Sequence, residues 1–325
     1  AFDQRLNGKP RGLPKKNSYR LSFGSISNVN ACFLRTHPHL HNLQTKTSVM
    51  IDAHFHAWQL SRGDYGWLTP AQGPIYRDIQ IADWAEHATQ HHITGGVLVQ
   101  AAPTFEETAY LLAQASLNPM VKGVVGWIDM LADDAIEKVA LCANSDLLKG
   151  LRPMLQDIAD PDWILQAQVQ PVLNAMAAHG LVLDALIKPI HLPQILEVIR
   201  AHPTLKVVID HGAKPLIDSS ALPQWRHSMS LLAQASNPQQ VMCKLSGLWT
   251  ETPSGSPIES IQPWCEALLE IWTPHRLIWG SDWPVLELAG SYSAWREFSQ
   301  QLISRCSASE QALIFGENAK RIYQL

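Results

Sequence analysis

Between Met50 and Leu325 the chain sets eight short runs of mostly Val, Ile and Leu at near-regular intervals, with helical spacing of apolar residues between them. The runs are 50–53, 96–100, 123–127, 150–154, 181–185, 206–209, 241–245 and 277–279. They lack clean alternation, as expected of parallel strands covered on both faces. Helical patterns fill 81–92, 105–117, 132–142, 169–179, 192–201, 222–235 and 258–272, with two more at 295–304 and 309–323. Eightfold strand–helix alternation, over a span close to the roughly 250 residues typical of the fold, predicts an α/β class chain forming one (β/α)8 TIM barrel. An open doubly wound sheet is the alternative, but no GxGxxG or P-loop follows any of the runs.

Residues 1–49 stand apart. They carry eight Lys and Arg against one acid, Asp3, and are rich in Asn, Ser, Gly and His without a sustained period. The division is therefore a basic N-terminal extension, 1–49, followed by a TIM-barrel domain, 50–325. The extension reads as a transit-like segment, a nucleic-acid arm, or upstream sequence foreign to the fold, and the lack of an amphipathic helix favours the last. Its His37, His39 and His41 lack the closing ligands of a structural metal site. Over the whole chain the net charge of −4 argues against a nucleic-acid partner. No apolar run approaches the ~18–20 residues of a membrane span. Five scattered cysteines without a CxxC pair point to a reducing compartment, and so to a cytoplasmic location. A monomer or a homodimer is expected.

Chemistry in such a barrel sits at the C-terminal ends of the strands. The first run ends Asp52-Ala53-His54-Phe55-His56. Residues two apart share a face, so His54 and His56 form either half of a metal site or a pair of donors for an oxyanion. The sixth run leaves its strand as Asp210-His211-Gly212, and the eighth as Gly280-Ser281-Asp282-Trp283-Pro284. Strands 1 and 8 are neighbours in a closed barrel, so His54, His56, His211 and Asp282 can converge. Asp210 is expected to be a buried, hydrogen-bonded acid.

These segments, together with Arg62-Gly63-Asp64-Tyr65-Gly66-Trp67-Leu68, Gly150-Leu151-Arg152, Ala213-Lys214-Pro215 and Lys244-Leu245-Ser246-Gly247-Leu248, resemble the amidohydrolase 2 branch of the amidohydrolase superfamily. Within it the resemblance is to the sugar-lactonase group, L-fuconolactonase- and L-rhamnonolactonase-like, with 2-pyrone-4,6-dicarboxylate lactonases more distant. It implies a barrel hydrolase with the strand-1 histidines, His211 and Asp282 at its reaction centre. The chain departs from the two-metal members. Lys149 lies at the wrong end of strand 4, strand 5 has no histidine, and His191 arrives late. One divalent ion on His54, His56, His211 and Asp282 is the expectation, with zinc suited to the nitrogen-rich set. Catalysis without metal, the histidines serving as hydrogen-bond donors, is the other reading.

The expected reaction is opening of a small-molecule lactone by water. Asp282 takes the proton from water, the histidines stabilise the oxyanion directly or through an ion, and Asp282 returns the proton to the ring oxygen. Arg152, and less directly Lys244, are candidates for holding a carboxylate or carbonyl. Gln100, Trp127, Trp58, Tyr65, Trp67 and Trp283 are candidates for the pocket wall, and 59–76 for a lid. The rival readings are a metal-dependent decarboxylase, a pyrone or muconolactone hydrolase, and a barrel that binds a sugar acid without reaction. A serine hydrolase is disfavoured, because no GxSxG elbow is present.

Overall fold

A computed structural model describes residues 49–325. The basic segment, apart from Val49, and its three histidines lie outside the described residues.

Eight parallel strands run in sequential order: β1 Ile51–Phe55, β2 Gly95–Val99, β3 Val121–Gly126, β4 Leu148–Leu151, β5 Val182–Ala185, β6 Lys206–Ile209, β7 Val241–Leu245 and β8 Leu277–Trp279. Helices α1 Ile81–Gln90, α2 Phe105–Ser116, α3 Ala135–Ala143, α4 Val169–Ala178, α5 Leu192–Ala201, α6 Leu222–Ala235, α7 Gln262–Arg276 and α8 Tyr292–Leu302 follow the strands in turn. The seam between β8 and β1 closes near the C-terminal ends, where Asp282 N donates to His54 O and His56 N to Trp283 O, both at 2.8 Å. The result is a nearly closed (β/α)8 barrel.

The strands are buried on both faces, which is why their sequences read as continuous apolar runs. Ile51, Ala53, Val97, Val99, Val125, Val182, Val208, Met242 and Ile278 form the interior cluster. The alternate residues pack against the helices. Helix α5 shows the complementary rule: Leu192, Ile195, Val198 and Ile199 recur on one face and are buried. Each such side chain contributes about 1.5–3 kcal/mol.

Several helices differ from their sequence-predicted extents: α3 starts three residues later than the pattern at 132, α8 starts three earlier than 295, and two differ in kind. The stretch from Ile258 to Ile261 is a 3-10 turn, and α7 starts after it. The expected C-terminal helix divides into α9 Ala308–Ala312, a π-helical stretch Leu313–Glu317, and α10 Asn318–Tyr323. Gly316 lies in that stretch because the backbone of Val49 approaches it; a Cβ there would stand 2.1 Å from Val49 O. Helix α10 then places Ala319, Ile322 and Tyr323 in the interior cluster, plugging the lower end of the barrel.

Candidate active site

The strand that supplies two histidines breaks its own alternation. Ile51 and Ala53 belong to the interior cluster, so strict alternation would turn His54 and His56 out toward the helices. The β1–β2 register instead slips between Asp52 and Phe55, three positions on β1 answering two on β2. This bulge rotates His54 and His56 inward and leaves Phe55 stacked on Trp84 outside. Asp52 also faces outward. Its carboxylate accepts from Trp84 Nε1, Tyr292 OH and Ser281 N at 2.8–3.0 Å, tying β1 to α1, α8 and the end of β8.

His211 is delivered by a second irregularity. After β6, residues His211, Gly212, Ala213 and Lys214 all have positive φ, between 43° and 63°. The left-handed run turns the ring inward one residue after Asp210 and is held by Lys214 N to His211 O and Trp225 Nε1 to Gly212 O, both at 2.9 Å. Gly247 packs against the ring face; a Cβ there would lie 2.3 Å from His211 Nδ1. Just after β8, Gly280 gives His54 the same room, and Asp282 takes a positive φ of 59°.

These devices bring four side chains together. Asp282 Oδ1 lies 3.3 Å from His56 Nε2, 3.5 Å from His54 Nε2 and 3.8 Å from His211 Nε2. The outer ring nitrogens are held in place: His56 Nδ1 by Val99 O at 2.8 Å and His211 Nδ1 by Ser246 Oγ at 2.9 Å. Burial pushes the His211 imidazole down to about 4, and burial with the Lys244 charge holds His54 well below its ordinary value, so both rings are neutral near pH 7. Burial alone would raise Asp282, but the facing His211, His56 and His54 rings overturn it and hold the carboxyl well below the usual range. The group is a carboxylate at any pH above strongly acidic. Three buried imidazoles and a carboxylate make a donor set that suits a divalent metal ion, and ligand atoms of His54, His211 and Asp282 all lie within 4.8 Å of one another.

A cavity of about 220 Å³ opens above this centre, smaller than the roughly 300–1,000 Å³ of drug-sized sites and so scaled to a small molecule. His56, His211 and Asp282 form part of its wall, with Trp67, Ala101, Arg152, Met154, Gln156, Asp157, Leu186, Lys214 and Val285. Of the substrate candidates read from the sequence, Arg152 and Trp67 are therefore at the cavity. Arg152 is buried, its Nη1 3.4 Å from Asp210 Oδ2 and its Nη2 donating to Gln100 O, while its Nε has no partner among the described residues.

The other candidates lie elsewhere. Trp58 sits behind Trp67, edge-on at 5.6 Å, with its indole N–H on Arg77 O. Tyr65 is buried farther out, against Trp58. Trp283 is fully buried, its indole donating to Glu287. Trp127 is half-buried, its backbone N and O both bonded to Thr108 Oγ1. Gln100 reaches back to Arg152 O. Lys244 points into the barrel but below the cavity, enclosed by Asp184, Asp210 and His54. Asp210 is the buried acid expected, paired with Lys244 and Arg152. The 59–76 segment is anchored to the loop after β2 through Asp64 to Thr104 Oγ1 and Trp67 Nε1 to Ala101 O, each at 2.7 Å.

The sequence reading missed Met154, Gln156, Asp157, Leu186, Lys214 and Val285 on the wall. Most come from loops whose path the strand pattern does not encode. Lys214 alone had a local signal, since it closes the irregular segment that begins at His211.

A parallel barrel with imidazoles and a carboxylate gathered at its C-terminal mouth is the architecture of a barrel hydrolase. The chain belongs to the amidohydrolase family, whose model, described as Amidohydrolase, matches residues 51–325. It is 42% identical over 279 residues to an L-fucono-1,5-lactonase of Burkholderia ambifaria, covering 85% of this chain and 95% of that protein. An L-fucono-1,5-lactonase of Burkholderia multivorans is 33% identical over 292 residues, covering 86% and 97%. A crystal structure of a B. multivorans amidohydrolase with bound zinc superposes with a TM-score of 0.79 at 32% identity, over 85% of this chain and 99% of that one.

Proposed function

We propose that this protein is a lactonase that opens a small sugar-acid lactone of the L-fuconolactone kind with water. The observation that carries the reading is Asp282 Oδ1, facing three imidazole nitrogens at the wall of a small cavity. The 42% identity to an L-fucono-1,5-lactonase supports the substrate class.

Asp282 is ionised and accepts the proton of the attacking water at Oδ1 or Oδ2. The oxyanion that forms on the lactone carbonyl is met by N–H donors of the surrounding imidazoles and of Arg152, whose buried Nε has no partner among the described residues. Protonated Asp282 then delivers its proton to the departing ring oxygen. Gln156, Asp157 and Lys214 supply polar partners for ring hydroxyls, and Trp67, Met154, Leu186 and Val285 face the C–H surface. When bound, a divalent ion, zinc by the nature of the donors, would be held by His54, His56, His211 and Asp282 and would supply Lewis-acid polarisation there. The four described cysteines are unpaired, in keeping with a cytoplasmic setting. Among the described residues no helix is long and apolar enough to cross a membrane.

The test is a proton-release assay across aldono-1,4- and 1,5-lactones, with and without a chelator. Fastest acid release from L-fucono-1,5-lactone and its close stereochemical relatives is the expected result. No acid from any sugar lactone would overturn the reading.

A further inference from the structure

The chain leaves β2 through Gln100, Ala101 and Ala102, and the main chain of this segment supports two side chains of the cavity wall. Gln100 O accepts from Arg152 Nη2, and Ala101 O accepts from Trp67 Nε1 at 2.7 Å. Arg152 follows β4 and Trp67 belongs to the 59–76 segment; both line the cavity. The ladder between β2 and β3 reaches as far as Gln100, whose N donates to Val125 O at 2.9 Å. The next two amides are met by a side chain instead.

That side chain is Glu107, fully buried in the first turn of α2. Its carboxylate accepts from Ala101 N at 3.0 Å on each oxygen and from Ala102 N at 2.6 Å. Thr104 Oγ1 accepts from Glu107 N at 3.2 Å and so fixes where the acid begins. A peptide unit is planar and trans, so its N–H and C=O point in opposite directions and turn together. The unit joining Gln100 to Ala101 carries the Ala101 N–H and the Gln100 C=O. The unit joining Ala101 to Ala102 carries the Ala102 N–H and the Ala101 C=O. Holding both N–H groups on one side therefore aims both carbonyls on the other, one at Arg152 and one at Trp67. Val99 O, which holds His56 Nδ1, shares its plane with Gln100 N and is set by the ladder.

We propose that Glu107 is a positioning residue that acts through two rigid peptide planes to hold Arg152 and Trp67 at the cavity wall. The other contacts of the Arg152 guanidinium are long, Nη1 standing 3.4 Å from Asp210 Oδ2 and 3.5 Å from His54 Nε2. The bond to Gln100 O is thus the one that fixes its place. One acid that touches no substrate thereby sets both a donor for the oxyanion and an apolar ring for the C–H surface. Its effect on rate rests on the lactonase reading; the geometry does not.

Hydrogen exchange followed by NMR tests the geometry without substrate. In the wild-type protein the Ala101 and Ala102 amides, although past the end of β2, should exchange within about tenfold of the Gln100 amide; faster exchange overturns the proposal. The second arm is Glu107→Met, which keeps the length of the side chain and removes both acceptors. The Trp67 indole hydrogen, assigned by its absence from the Trp67→Phe spectrum, should exchange roughly tenfold or more faster in this variant. The Trp84 indole, bonded to Asp52 at 2.9 Å on the outer side of β1, should keep its wild-type rate. Equal acceleration of both indoles means general loosening, and no change at Trp67 means no linkage; either overturns the proposal. In the third arm kcat for lactone opening by folded Glu107→Met should fall about tenfold, with KM raised. A lowered thermal midpoint with kcat unaltered overturns it. If the wild-type protein opens no lactone, the lactonase reading fails while the exchange arms still decide the role of Glu107.

Discussion

The barrel interior has two halves built from the same strands. Below Lys244 it is filled by apolar side chains from seven of the strands and closed by Ile322 and Tyr323 of α10. Above it the interior holds three imidazoles, Asp282 and Arg152. The lower half alternates on most strands, with register slips only where β2 meets β3 at Gly96–Val97 and β3 meets β4 at Val124–Val125. The upper half departs from alternation at each of the three strand ends that supply the site: a bulge in β1, a left-handed run after β6, and a positive φ at Asp282 after β8. Left-handed geometry costs about 1–2 kcal/mol per non-glycine residue. His211, Ala213, Lys214 and Asp282 all carry that cost, which burial elsewhere must offset. The contrast separates residues that hold the protein together from residues held in unfavourable shapes by the rest of it.

Substitutions in the two halves should therefore have opposite signatures. The largest effect belongs to Asp282→Asn, which should lower kcat by roughly 10²–10⁴ while the thermal midpoint stays put. A fall in stability matched to the fall in rate would move Asp282 into the supporting half. Gly247→Ala comes next: its new methyl meets the His211 ring, and a catalytic group moved by ~1 Å loses about 10² in rate. Lactone assays on the folded variant check this, and full activity would mean the ring needs no fixed position. Tyr323→Phe should do the reverse. It removes a donor from Asp184 and should cost about 1–3 kcal/mol in urea unfolding with turnover nearly intact.

The smallest effect lies at the boundary between site and support. Glu107 accepts backbone N–H bonds from Ala101 and Ala102 at 2.6–3.0 Å, and burial pushes its carboxyl up to about 7. A raised value means that the folded state holds the proton more tightly than the unfolded one. Its stabilising contribution is full below about 4.5 and is lost as the pH rises through about 7. Unfolding curves of wild type and Glu107→Gln should diverge over that window; parallel curves would show that Glu107 titrates normally.

The regular half was open to reading from sequence. Runs such as 241–245 and 277–279 coincide with β7 and β8, because buried parallel strands must be apolar throughout. The strand-end chemistry was legible as residue types: His54, His56, His211 and Asp282 do meet. The means by which they meet was not. Nothing in Asp52-Ala53-His54 announces a bulge, and simple alternation counted from Ile51 would have placed both histidines outside the barrel. Aromatic residues were overread as pocket wall. Trp58 and Trp283 instead hydrogen-bond outside the cavity, Trp58 to the backbone at Arg77 and Trp283 to Glu287, because a buried indole N–H needs an acceptor wherever one is near. Lys244 gives no sign of its enclosure in sequence, since its three partners come from β1, β5 and the turn after β6.

The seam between β8 and β1 has one more implication. The main-chain links there, Asp282 N to His54 O and His56 N to Trp283 O, involve three of the four residues that carry the chemistry. The molecule is thus zipped shut through its working parts. Any opening of the seam, however brief and however intact the surrounding helices, parts Asp282 from His54 and His56, so heat should silence the enzyme before it melts the protein.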